Sequence, residues 1–233
     1  QNLMLRDIFQ SGRLGEPLYT WTEYSQRKSI PSRIFKNWVD KSNILQYLGV
    51  HYIDLIRFIT GSAAKRVMAV GQKNWLKSQG INVHDSIQCM VEWVTPNSII
   101  FNQTLLTNWI DPESTSAMSD QKLKLVGTKG RFDADQKERG VSLVIEGENL
   151  ETPNPDFCQS FVTADNQNRW QGYGITSITT FLQDVDDIIN GKKTPSSLEG
   201  KRPTFKEAMI STAVIEAAGK SLADKGNWKP VDL

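Results

Sequence analysis

The chain opens on a helical spacing, with Leu3, Leu5, Ile8 and Phe9 on one stripe. After Gly12 and Gly15 the period drops to two. Leu18, Thr20, Thr22 and Tyr24 then share one face and Tyr19, Trp21 and Glu23 the other, which predicts a strand. A basic loop around Pro31 follows. A dense helical run spans 43–60, and Gly61 ends it as a glycine past a helix C-terminus does. Between 66 and 151 the pattern predicts strands at 67–72, 86–94, 98–107, 123–126, 131–134 and 141–145. Ile87, Cys89, Val91 and Trp93 form one face of the second, and Thr95, Pro96 and Asn97 turn the chain into the third. Short turns between consecutive strands predict antiparallel pairing. Helical spacing returns with Ile175, Ile178, Phe181, Leu182, Val185, Ile188 and Ile189, ended by Asn190-Gly191. A last, alanine-rich helix opens with Pro203 and a Thr204-to-Glu207 capping box. Helices at both ends of a strand meander predict one α+β domain over 1–233, an open, mainly antiparallel sheet with helices packed on one face.

Composition narrows the function classes. The 233 residues, 39% of them hydrophobic, can bury a sizeable core. Lys and Arg total 27 against 26 Asp and Glu, so no one-sided field is available to hold a polyanion, and nucleic acid is not an expected partner. Cys89 and Cys158 have no CxxC spacing, which points to a reducing, cytoplasmic setting without disulfides and without a metal site. No run approaches the roughly 20 apolar residues of a membrane span. The chain begins at Gln1 and enters a helix at once, as a fragment lacking an N-terminal part would. It contains neither GxGxxG between a strand and a helix nor GxxxxGK[ST], so a nucleotide cofactor would have to be held elsewhere.

One helix can carry chemistry. At about 100° per residue, Asn43, Tyr47, His51 and Asp54 fall within an arc of roughly 80°, opposite Leu45, Leu48, Tyr52, Leu55, Ile56 and Ile59. Gly49 inside the run marks a place where another backbone or a ligand comes close. Histidine exchanges protons near neutral pH, and Asp54 one turn later could orient His51, an arrangement suited to alcohol oxidation. The same spacing also describes a pair that merely anchors the helix.

The string Leu48-Gly49-Val50-His51-Tyr52-Ile53-Asp54-Leu55, preceded by Trp38 and followed by Phe58 and Gly61, resembles the G-x-H-x-x-D helix of the glucose-fructose oxidoreductase and inositol dehydrogenase (Gfo/Idh/MocA) family. Gly12-x-x-Gly15, Gly127-x-x-Gly130 with Phe132, Gly172-Tyr173 and the final alanine-rich helix follow in the family's order. The resemblance implies a dihydrodipicolinate-reductase-like C-terminal domain whose Rossmann partner, binding NAD or NADP and carrying a Glu-Lys-Pro lysine, is missing from the chain. It also implies His51 as the proton-transfer residue for the hydroxyl of a sugar, cyclitol or related polyol, and a homo-oligomer formed through the sheet. The chain departs from the family at Tyr47, where many members carry an Asp, and at Ser42-Asn43, where a Gly-Gly pair is frequent. Tyr47 could act as a proton relay or a sugar hydrogen-bond partner, or simply fill space as an aromatic at the domain interface. A non-catalytic ligand-binding or oligomerisation module of the same fold is the alternative reading. A reductase of an unsaturated, tetrapyrrole-like substrate is a third.

Further candidates are looser. Asn43 joins the substrate-binding set through the stripe, and Arg33 and Lys36, with Arg27 and Lys28, could hold an anionic substrate group or form a solvated loop. Trp170, within Arg169-Trp170-Gln171-Gly172-Tyr173, could stack on a sugar ring or pack in a core. His84-Asp85 resembles a dyad only in sequence and is better read as part of a turn. Asp184, Asp186 and Asp187 read as a solvated helix face.

Overall fold

Residues 1–232 are described in a computed structural model, and its elements track the two hydrophobic periods. In chain order they are α1 (Asn2–Gln10), β1 (Pro17–Arg27), α2 (Val50–Thr60), β2 (Ala63–Gln72), α3 (Trp75–Ser78), β3 (Ser86–Val94) and β4 (Ile100–Asp111). β5 (Ser119–Gly127), β6 (Gly130–Asp135), β7 (Gln159–Val162), β8 (Asn168–Gln171), α4 (Tyr173–Ile189), α5 (Phe205–Ala223) and β9 (Lys229–Pro230) complete the chain. The chain divides into two compact units, residues 1–137 with 208–233, and residues 138–207.

The first unit holds a seven-stranded sheet in the order β6-β5-β1-β4-β3-β2-β9. Every neighbouring pair is antiparallel except β1 and β4, which run parallel in the middle, Thr20 beside Gln103 and Thr22 beside Leu105. The sheet is mainly antiparallel, as expected, with this one parallel ladder between strands that are not consecutive in the chain. A parallel pair needs a long crossover, and here the chain between β1 and β4 supplies it by way of α2, β2 and β3.

Alternation decides which face of this sheet is covered. Ile87, Cys89, Val91 and Trp93 on β3 and Phe101, Gln103, Leu105, Thr107 and Trp109 on β4 are all buried, as are Thr20 and Thr22 on β1. Against them lie Leu48, Tyr52, Ile53, Ile56 and Ile59 from α2 and the turn before it. Burying each such aliphatic side chain contributes about 1.5–3 kcal/mol, so this contact is the main anchor of α2. α1 packs beside α2 with Leu5 buried. From α5, Val214, Ala217 and Ala218 join the core, and the Ser221 hydroxyl donates to the Asn227 carbonyl at 2.7 Å while accepting the Ala69 N–H at 2.9 Å. The two Gly-x-x-Gly turns clasp each other: Thr128 and Lys129 N–H groups donate to the carbonyls of Glu16 and Leu14, each at 2.9 Å.

The second unit contains the two-stranded β7–β8 hairpin and α4. The strand expected at 141–145 is absent; Leu143 makes only an isolated bridge to Glu151. Its apolar run finds no further strand to pair with, and Val144 stays 77% exposed. A second correction concerns Asp184. It is buried on α4 and accepts from Arg202 at 2.6 Å and Lys193 at 2.9 Å, so it is an ion-paired anchor, not part of a solvated face. Around it the apolar stripe of α4, with Leu198 and Pro203, lines an open cleft of about 690 Å³.

Candidate functional site

The helix expected over 43–60 forms in two pieces. Residues Leu45–Gly49 make a π-type turn, and α2 continues from Val50 until Gly61, in the left-handed region at φ 67°, ends it. The wide turn carries one extra residue, so side chains before it are rotated relative to those after it. Gly49 sits inside this turn because a Cβ there would lie 2.4 Å from Leu45 Cδ1 and 3.4 Å from Leu105 Cδ2. The close neighbours at Gly49 are thus a leucine of its own turn and a leucine of β4.

The extra residue separates the four polar positions. Asn43 stands at the start and accepts the Gln46 N–H at 2.9 Å through its side-chain carbonyl, as a helix N-cap does. Tyr47 is half-buried in an aromatic cluster, its ring centroid 4.9 Å from Phe35, 5.6 Å from Trp38 and 6.0 Å from Trp109. Only His51 and Asp54 remain together on the solvent side of α2, both exposed.

The His51 imidazole keeps solvent contact on one side and is packed on the other, where Tyr24 of β1 lies with its ring centroid 6.0 Å away. That partial burial holds its pKa below the ordinary imidazole value, and the Asp54 charge offsets part of the shift. Among the described residues the two side chains are joined by charge alone, without a hydrogen bond. The arrangement presents a neutral imidazole near neutral pH, able to accept a proton from a hydroxyl brought to the open side.

Behind the helix a polar network that periodicity alone does not reveal fixes its position. Gln103, fully buried on β4, accepts from Trp93 Nε1 at 3.1 Å and donates to Thr22 Oγ1 at 3.1 Å and to the Tyr52 carbonyl at 3.3 Å. The Tyr52 hydroxyl donates to Gln136 Oε1 at 2.6 Å, and Gln136 donates to Asn2 at 2.6 Å. A lone Gln at an inward position of an apolar strand was the available signal for this network.

The remaining candidates stand elsewhere. Arg33 lines a surface hollow of about 280 Å³ with Lys28, Ser29, Ser32, Trp75 and Glu113, and the Lys28 ammonium lies 5.1 Å from the Trp75 ring centroid. Hydrogen bonds from Ser29 hold the Glu113 carboxyl below the usual range. Lys36 is exposed. Trp170 is on β8 in the second unit and 60% exposed. Asp85 accepts the N–H groups of Asn74, Trp75 and Leu76 at 2.6–2.8 Å, so the His84-Asp85 pair is turn chemistry that caps α3.

The GFO/IDH/MocA C-terminal domain profile matches residues 2–133, more than half of the chain and the whole segment from α1 into β6. The chain belongs to this family. Among solved structures, this family chain is similar to scyllo-inositol dehydrogenase from Lactobacillus casei with bound NAD(H) and scyllo-inositol, at 14% identity and a TM-score of 0.64, covering 99% of this chain and 61% of that one. GenD2 from gentamicin A biosynthesis, in complex with NAD, matches at 18% identity and a TM-score of 0.67, covering 100% and 60%. An oxidoreductase from Sinorhizobium meliloti matches at 16% identity and a TM-score of 0.64, covering 97% and 60%. At these identities the likeness establishes the fold, and the chain spans about three fifths of the length of each structure. No curated protein matches the sequence. Among the described residues, no helix is long and apolar enough to cross a membrane.

Proposed function

We propose that this chain is the substrate-binding and catalytic C-terminal domain of an NAD(P)-dependent oxidoreductase acting on a CH–OH group of a sugar, cyclitol or related polyol. The observation that carries the reading is His51 itself: a half-packed imidazole of lowered pKa beside Asp54, on a helix of the family domain that a buried polar network pins to the sheet. The scyllo-inositol dehydrogenase structure with bound NAD(H) and the GenD2 structure in complex with NAD support the cofactor class.

The proton is this chain's part of the reaction. Neutral His51 accepts it from the substrate hydroxyl, and the imidazolium so formed is stabilised by the Asp54 carboxylate on the same helix. A bound nicotinamide supplies the acceptor for the hydride. The glycine turns of this chain are taken up in clasping each other, so they do not cradle a pyrophosphate, and the reading places the dinucleotide on a Rossmann domain outside this sequence. Tyr47 joins His51 and Asp54 in the proposed catalytic set, Asn43, Arg33 and Lys36 are the proposed substrate-binding residues of the same unit, and Trp170, in the second unit, is a proposed sugar-stacking residue. A homo-oligomer through the open face of the sheet and a cytoplasmic location complete the proposal.

Tyr47 supports a second reading. Its ring is committed to the Phe35, Trp38 and Trp109 cluster, the space-filling role, which suits a ligand-binding or oligomerisation module that has lost the chemistry. An absorbance assay for NAD(P)H formation by the polypeptide extended through its nucleotide-binding domain, run on sugars, cyclitols and hydroxy acids, separates the two. Turnover favours the dehydrogenase, and absence of both turnover and cofactor binding favours the module.

A further inference from the structure

His51 is an exposed side chain, and exposed side chains exchange rotamers on the picosecond to nanosecond scale unless something holds them. Asp54 makes no hydrogen bond to it among the described residues, so orientation has to come from packing. The packing comes from β1. Tyr24 shares strand parity with Thr20 and Thr22, which places it on the face that α2 covers, and its ring meets His51 at 6.0 Å between centroids with a 42° tilt. Tyr24 is itself braced. Its backbone lies in the middle of the sheet, paired with Thr107 of β4 on one side and Gln121 of β5 on the other. Its ring takes the Tyr52 ring edge-on at 5.8 Å and 86°, and Tyr52 is tied down through its hydroxyl to Gln136.

We infer that Tyr24 is a positioning residue for His51: its ring backs the imidazole from the sheet side and so fixes which edge of His51 is offered to solvent and to a substrate hydroxyl. This deepens the oxidoreductase reading and rests on it for its functional meaning. The route from the sheet to the imidazole is a ladder of rings, His51, Tyr24 and Tyr52, ending in the Gln136 and Asn2 side chains. Among the described residues, Asp54 from its own helix acts on the imidazole by charge, and the Tyr24 phenol of β1 faces it as a ring. From α1, the Arg6 guanidinium lies over Phe58 instead, 4.8 Å from that ring. A ring packed on that side of the imidazole adds to the burial that lowers the His51 pKa.

The test uses proton NMR of the chain, which has only two histidines to resolve, with Tyr24→Phe and Tyr24→Leu beside the parent. The inference expects cross-relaxation between the Tyr24 and His51 ring protons in the parent. It expects an unchanged His51 titration midpoint in Tyr24→Phe, which keeps the ring, and an upward move toward the free imidazole value in Tyr24→Leu. Absent ring contacts in the parent overturn it even if the leucine variant fails to fold. Equal midpoints in all three proteins overturn it, and so does a phenylalanine variant that moves as far as the leucine one, since the hydroxyl and not the ring would then be at work. These readouts need neither cofactor nor substrate, so their failure is distinguishable from a failure of the oxidoreductase reading, which turnover of His51 variants decides.

Discussion

The Tyr52 hydroxyl donates to the side-chain carbonyl of Gln136 at 2.6 Å, joining the functional helix to the residue just past the end of β6. Tyr52 follows His51 directly, so this bond fixes the neighbour of the proposed proton acceptor in a buried setting. Tyr52→Phe is expected to cost about 1–2 kcal/mol, because a buried hydrogen bond to the Gln136 side chain is lost. Chemical denaturation of the two proteins measures it.

Gln103 is a sharper case. Gln103→Met keeps nearly the same volume but removes the acceptor of Trp93 and the donor to Thr22 and the Tyr52 carbonyl. A loss of about 2–4 kcal/mol is expected, well above the small effect of a volume-matched apolar swap. A shift of the denaturation midpoint at constant slope is the expected form of the result.

His51 titrates below the ordinary imidazole value because of burial, and Asp54 opposes the shift. Asp54→Asn is therefore expected to lower the midpoint further, read by NMR titration. The stability linkage has a definite sign. Between the folded and the higher unfolded pKa the unfolded chain binds more protons, so the contribution is complete above the unfolded value and is lost as pH falls through the folded one. An unchanged midpoint in Asp54→Asn would show that the carboxylate does not act on the imidazole.

The two thiols should behave differently. Burial among apolar side chains pushes the Cys89 thiol up to about 12, while Cys158 is exposed. A disulfide reagent at neutral pH is expected to titrate one thiol per native chain and two after unfolding.

Much of this was legible in the sequence where periodicity and local stops decide the structure. The alternation of Ile87, Cys89, Val91 and Trp93 gave β3 with its bounds, and Gly61 gave the end of α2. The parallel β1–β4 ladder was not legible, because it depends on where the crossover lays the chain and not on either strand's own pattern. The π-type turn at Leu45–Gly49 was hidden for a similar reason: a 100° wheel assumes uniform winding, and one extra residue sends Tyr47 into the aromatic cluster while His51 and Asp54 stay in solvent. The run at 141–145 has strand propensity, but a single bridge does not make a ladder. Asp184 looked solvated because its cations, Lys193 and Arg202, lie beyond its own helix. At the site, His51 and Asp54 could be named from one motif, whereas Tyr24 required knowing which strand α2 covers.

The central claim is that His51 moves the substrate proton, and the direct test is kcat of the polypeptide together with the proposed nucleotide-binding domain, parent against His51→Ala, with circular dichroism to establish that both are folded. The account predicts a fall of about 10²–10⁴-fold in kcat with the fold intact, the size of a lost general base. Unchanged turnover in a folded His51→Ala protein would contradict it.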